Sequence, residues 1–256
     1  MQLGLKLWST NGDVLGQAKS LIAKGTFQYV ELMVVPGTDP VPFQKSGLPY
    51  VLHAAHDTWG PNPADPERLE VTRKSLEDAR AWADLLGARF IVFHPGFCKP
   101  GFSAMENVLE FLKDEPADKR IVIENMASFG LDYGQVVEHA GYTKEQLELL
   151  MQDKFNFCLD LYHAMRAARS LGRNPKEYFD ELLSLKPVLF HISDGDFSQT
   201  LDNHLGLKAG EFDLAFFAEC IRSVPQALVT LETPREHLHS LKEDEGNAVI
   251  FRSLFS

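Results

Sequence analysis

Six short apolar runs in this chain each end on an imidazole or a carboxylate. They are "VLHAAH" (His53, His56), "IVFHPG" (His94), "IVIENM" (Glu124), "CLDLYH" (Asp160, His163), "LFHISD" (His191, Asp194) and "VTLETP" (Glu232). A polar loop adds "DNH", with Asp202 and His204. Nitrogen and oxygen donors converging on one place are what zinc or manganese requires, at bonds of about 2.0–2.2 Å. No single spacing defines such a site, because the donors come from different runs; the repetition carries the inference. Taken singly, each residue has a plainer reading as a helix cap or a satisfied polar group. His94-Pro95-Gly96 reads equally as a turn, and Asp202 and His204 alone would mean little. Glu124 and Glu232 resist that reading, since a carboxylate closing an apolar strand is costly unless it is paired or metal-bound.

Donors so far apart in sequence need a scaffold that brings strand ends together. Eight β-rich runs alternate with amphipathic patterns: Leu3–Trp8, Tyr29–Val35, Tyr50–Ala54, Phe90–His94, Ile121–Glu124, Phe155–Asp160, Val188–Ile192 and Leu228–Glu232. Helical periodicity marks Asp13–Lys24, Pro66–Leu86, Ala104–Lys113, Lys144–Gln152, Pro175–Leu185 and Phe212–Ile221, and another helical run opens at His163. The Pro36–Pro49 crossover shows no helix and reads as a loop. Strands apolar throughout suit a sheet covered on both faces. Eight such units in 256 residues fit one α/β domain, a (β/α)8 TIM barrel spanning residues 1–256. A doubly wound sheet is the alternative, weakened because no Gly-rich phosphate loop follows the first strand. In a barrel the site lies at the C-terminal rim, where these donors fall.

Composition narrows the partners. No apolar run reaches membrane-spanning length, so no membrane association is expected. The start, "MQLGLKLWST", lacks the pattern of a signal peptide. Cys98, Cys158 and Cys220 are few and scattered, which fits reduced thiols in a cytoplasmic setting. A net charge of −11 disfavours nucleic acid, except that carboxylates gathered around divalent cations are locally neutralised. Trp8 and Trp59 could line a substrate pocket, with core or rim packing the preferred reading, and Cys98 and Cys158 read as structural, with Cys158 pointing away from the neighbours of Asp160 into a packed layer. His237 and His239 fall on or before the last helix, on its solvated side.

The motifs together resemble the endonuclease IV family of zinc-dependent apurinic-site endonucleases, within the xylose isomerase-like TIM barrels, along nearly the whole chain. "HPG", "IENMAS", "CLDLYHA", "HISD", "DNH" and "LET" each have a counterpart among that family's ligand motifs. The resemblance implies up to three zinc ions, or manganese. The first would lie on His53, His94 and Glu124, with His56 the fallback for His53. The second would lie on Glu124, Asp160, His191 and Glu232, and the third on His163, Asp202 and His204. It further implies phosphodiester hydrolysis, with Glu124 or Glu232 orienting the attacking water and abasic DNA or a small phosphoester as substrate.

Departures from that pattern concern the grip on DNA. The Pro36–Pro49 crossover is short and carries only Lys45 as a basic residue, and the turn beyond "DNH" reads "LGLKAGEFD". The alternative is a sugar isomerase or epimerase of the same superfamily, using one divalent metal on Glu124, Asp160, His191 and Glu232 and moving protons between the glutamates. His94 and the Asp202/His204 pair discriminate, because an epimerase needs neither. A third reading is a barrel that binds metal without catalysis.

Overall fold

The computed structural model describes residues 1–99, 103–132, 134–197 and 203–256. Eight parallel strands close into a barrel: β1 (Gln2–Trp8), β2 (Tyr29–Met33), β3 (Tyr50–His53), β4 (Ile91–Phe93), β6 (Ile121–Glu124), β9 (Asn156–Asp160), β10 (Leu189–Ile192) and β11 (Leu228–Leu231). The order around the barrel is β1-β11-β10-β9-β6-β4-β3-β2, so every strand sits beside its predecessor among the barrel strands and the first pairs with the last. Outside lie α1 (Leu15–Ala23), α2 (Val41–Ser46), α3 (Leu69–Leu86), α4 (Met105–Asp114), α5 (Lys144–Met151), α6 (Leu161–Ser170), α7 (Pro175–Leu183), α8 (Leu214–Ser223) and α9 (Lys242–Ser253). This is the (β/α)8 TIM barrel expected from the alternating pattern, with strand ends shifted by at most two residues.

Strand alternation builds the interior in tiers, because residues two apart face the same way. A floor of Tyr29, Val51, Val92, Val122, Cys158, Leu189 and Leu228 fills the barrel with Phe90. Two residues further along the same strands stand Glu31, His53, His94, Glu124, Asp160, His191 and Thr230. The intervening residues, such as Leu5, Leu32, Ile123 and Leu159, face the helices and form the larger core. Each fully buried aliphatic side chain there contributes on the order of 1.5–3 kcal/mol. The sequence thus places ionisable groups one tier above a dry apolar plug.

Two expectations need correction. Pro36–Pro49 contains α2, where Pro42 lies in the first turn, Phe43 is buried and Gly47 closes the helix at φ 67°. Six residues are too few to show helical periodicity. An antiparallel sheet was also not expected: β5 (Phe97–Cys98), β8 (Gln135–His139) and β7 (Phe129–Asp132), in that order, fold across the rim beside His94. Gly130 is required there, since a Cβ would come within 2.3 Å of the His139 ring.

Candidate metal centre

Asp160 ends β9 and caps α6 with one oxygen: Oδ1 accepts the His163 backbone N–H at 2.6 Å. The cap reading is therefore right for half of the carboxylate. Its other oxygen, Oδ2, is buried with no hydrogen-bond partner. Asn125 fixes the strand pair, donating to the Asp160 carbonyl at 2.9 Å and accepting its N–H at 2.7 Å. Because α6 starts immediately, His163 falls in its first turn and brings a donor atom within reach of Asp160 and His204.

Four histidines share one arrangement, in which one ring nitrogen is tied to a protein oxygen and the other faces the cluster. His53 Nδ1 meets the Ala54 carbonyl at 2.8 Å, and its Nε2 lies 3.5 Å from Glu124 Oε2. His163 Nδ1 meets the Asn125 carbonyl at 3.0 Å. His204 Nδ1 meets Ser193 Oγ at 3.0 Å and the Glu232 carbonyl at 3.1 Å. The Nε2 atoms of His163 and His204 then stand 3.5 Å apart, close to the roughly 3.3 Å that separates two nitrogens on one tetrahedral ion. His191 reverses the pattern: Nε2 meets Glu31 Oε2 at 3.0 Å, so Nδ1 faces inward. A protein oxygen on the outer nitrogen is the usual way a protein sets the tautomer of a ligating imidazole.

Several buried atoms of the cluster remain without hydrogen bonds. Glu124 Oε1 and His191 Nδ1 approach to 3.3 Å without hydrogen-bond geometry, and both are buried without partners. His94 reaches Glu124 Oε2 with Nε2 at 3.2 Å, while its Nδ1 is a buried orphan. Donor atoms lie within 4.8 Å of one another in three overlapping sets: His53-His94-Glu124, Glu124-Asp160-His191-Glu232 and Asp160-His163-His204. Asp202, expected beside His163 and His204, lies outside the described residues. A fourth set, His56-Asp57-His94, shows why His56 was hard to separate from His53. His53 is the one that faces Glu124, whereas His56 Nδ1 pairs with Asp57 at 2.9 Å.

The charges respond to this crowding. Burial drives Asp160 up to about 6, while the nearby His163 and His204 oppose that shift. Burial also pushes on Glu124, but His191 and His94 outweigh it and hold the carboxyl well below its usual range. Burial lowers His53 to about 3, which keeps its ring neutral. For His191 burial is overruled by Cys158, Glu232, Glu31 and Glu124, which hold a proton on the ring. An anionic hole containing orphaned donors fits divalent cations; protons alone fill it poorly.

Two charged residues of the site were not anticipated. Lys6 on β1 and Glu31 on β2 are buried and form an ion pair at 2.6 Å, and Lys6 also donates to Glu232. Thr230 donates to Glu31 at 2.6 Å and meets Tyr29 Oη at 2.9 Å. The signal was present as a charge inside an apolar strand, in "LGLKLW" and "YVELM". Cys158 corrects half of an expectation: it packs in the apolar floor as read, but, two residues from Asp160, it faces the same way, and its sulfur lies within 4.8 Å of donor atoms of Glu124 and His191. Asp194 serves the fold. Its carboxylate accepts the N–H groups of Gly195, Gly210 and Phe212, pinning the loop that follows "DNH". Trp8 lines the cleft over the cluster, and Trp59 packs edge-on against His56. His237 and His239 are exposed before α9, paired with Glu243 and Asp13. No helix among the described residues is long and apolar enough to cross a membrane.

Residues 43–251 match the family described as xylose isomerase-like TIM barrel. Endonuclease 4 of Thermus thermophilus is 30% identical over 221 residues, covering 81% of this chain and 75% of that protein. A crystal structure of endonuclease IV from Thermus thermophilus superposes with a TM-score of 0.73 at 23% identity, covering 100% of this chain and 99% of that one. A D-tagatose 3-epimerase-like protein superposes with a TM-score of 0.69 at 20% identity over the whole of both chains.

Proposed function

The chain belongs to the xylose isomerase-like TIM barrel family, and from that premise we propose that it is a divalent-metal-dependent phosphodiester hydrolase of the endonuclease IV type. The observation that carries this reading is the tethering of His53, His163, His191 and His204 by one ring nitrogen around orphaned oxygens of Glu124 and Asp160. Those residues, with His94, Glu232 and Asp202, would hold zinc or manganese, up to three ions. Bound there, the cations would supply Lewis acidity that neutralises a phosphate and acidifies a water for attack.

The chain's own groups do the rest. Glu124 spans two donor sets and Glu232 reaches into the cleft, so these two carboxylates would orient the attacking water. His56, at the far edge of the cleft, is held by Asp57. The cleft is about 290 Å³, room for a sugar-phosphate unit. An abasic nucleotide would have to be presented out of its duplex, and a small phosphoester would enter directly.

A second reading is a single-metal sugar isomerase or epimerase. It is supported by Glu124, Asp160, His191 and Glu232 forming a complete set by themselves. Elemental analysis of purified protein separates the two. More than one ion per chain, with cleavage of an abasic-site duplex or a small phosphodiester, supports the hydrolase. One ion per chain, unchanged in His204→Ala, with turnover of free ketoses, overturns it.

A further inference from the structure

Lys6 is the unexpected member of this site. Its Nζ donates to Glu31 Oε1 at 2.6 Å and to Glu232 Oε1. An ammonium carries three N–H donors, and among the described residues the third has no acceptor. The side chain is 8% exposed, and that exposure opens into the cleft that also holds His53, His94, His163, His204 and Glu232.

A cation in this position works against the site's metal chemistry. It draws on Glu232, a donor to the Glu124-Asp160-His191-Glu232 set, and repels any divalent ion nearby. Lys6 is not the sole hydrogen-bond partner of Glu31, which also accepts from Thr230 and pairs with His191. The lysine makes sense if something anionic arrives that needs it.

Strand alternation shows where that would be. Two residues beyond Lys6 on β1 comes Trp8, and two beyond Glu31 on β2 comes Met33; both line the same cleft. The cleft therefore has the Lys6 ammonium at one end, flanked by Glu232, with an apolar wall rising above it, while the imidazoles occupy the other side. We propose that Lys6 is a substrate-binding residue whose third N–H takes a phosphate oxygen, with the organic body of the substrate laid against Trp8 and Met33. The choice of phosphate as the anion rests on the hydrolase reading above.

Inorganic phosphate is the probe, titrated calorimetrically into zinc-reconstituted protein. Wild type should bind it. Lys6→Met should bind at least about tenfold more weakly with an unchanged ion count, and Lys6→Arg should stay within about threefold of wild type. Phosphate binding by Lys6→Met equal to wild type overturns the proposal. So does loss of metal together with phosphate, which would assign Lys6 to holding Glu232, and so does absence of binding in wild type. Should Lys6→Met fail to fold, the Nζ resonances of 15N-lysine-labelled wild type give the answer. Phosphate must shift one lysine that Lys6→Arg removes, and an unmoved spectrum overturns the proposal. A Lys6-dependent phosphate site in a protein inert toward every phosphodiester would sink the hydrolase reading and leave this one standing.

Discussion

The two halves of the barrel mouth solve the problem of buried charge in opposite ways. Around β1, β2 and β11 the carboxylate is answered: Glu31 accepts from Lys6 and Thr230, and Thr230 meets Tyr29, in a continuous network that leaves one N–H of Lys6 for the cleft. Around β3, β4, β6 and β9 the network is open, with His94, Glu124 and Asp160 each presenting a buried atom that makes no hydrogen bond. His191 on β10 stands at the border, one nitrogen on Glu31 and the other facing the open half. The lesson is that burial of charge alone does not mark a metal site. The closed half is as buried as the open half, yet its carboxylate is already satisfied.

The strongest way to break this contrast is at Glu124. Glu124→Ala should empty the two donor sets it bridges and slow phosphoester cleavage by on the order of 10³-fold, several kcal/mol of lost transition-state stabilisation. Elemental analysis and steady-state kinetics read both effects. Glu31→Ala should do the reverse, destabilising the metal-free protein by roughly 3–5 kcal/mol in urea titrations because Lys6 and His191 lose a buried partner, while most of the ion content is kept. If Glu31→Ala empties the site and leaves stability alone, the distinction between the halves is false.

A metal titration sharpens it further. Zinc at about a hundredfold excess over its dissociation constant should stabilise wild type by about 2.7 kcal/mol, and Glu124→Ala by far less. Proton competition sets the pH dependence. Asp160 titrates at about 6 in the metal-free protein and must lose its proton to ligate. Affinity should therefore fall as pH drops, by roughly tenfold between about pH 7 and pH 5 from this residue alone, about 1.4 kcal/mol. His191 adds to the same trend, since the proton held on its ring must also leave. The smallest effect belongs to a control outside both halves: Val136→Thr, on the exposed face of β8, should alter thermal stability by less than about 0.5 kcal/mol.

Much of the open half was legible because its donors stop their strands. His53, Glu124 and Asp160 each follow a hydrophobic run, and a polar residue at a strand end catches the eye. Lys6 and Glu31 escaped because they interrupt their strands, with Leu7 and Leu32 continuing the apolar run beyond them. A reading that attends to strand ends passes over a charge held mid-strand, although such a charge needs an explanation just as much. The sheet of β5, β7 and β8 escaped for a different reason. Its strands are short, Phe129 and Leu131 alternate outward on an exposed face, and pairing through a turn at Gly134 leaves too weak a period to separate from loop. Which imidazole nitrogen faces inward could never be read from residue order, because it depends on carbonyls and carboxylates supplied by other strands.

Gly4 lies in the floor of the barrel, where the Tyr29 ring occupies the space a side chain would take: an added Cβ would come within 2.3 Å of a ring carbon. That ring carries the hydroxyl that meets Thr230, which in turn meets Glu31. A single methyl group introduced at the foot of the first strand would therefore be transmitted upward through a phenol and an alcohol to the carboxylate beneath His191. Position 4 has no room for a side chain while that network stands a full tier above it.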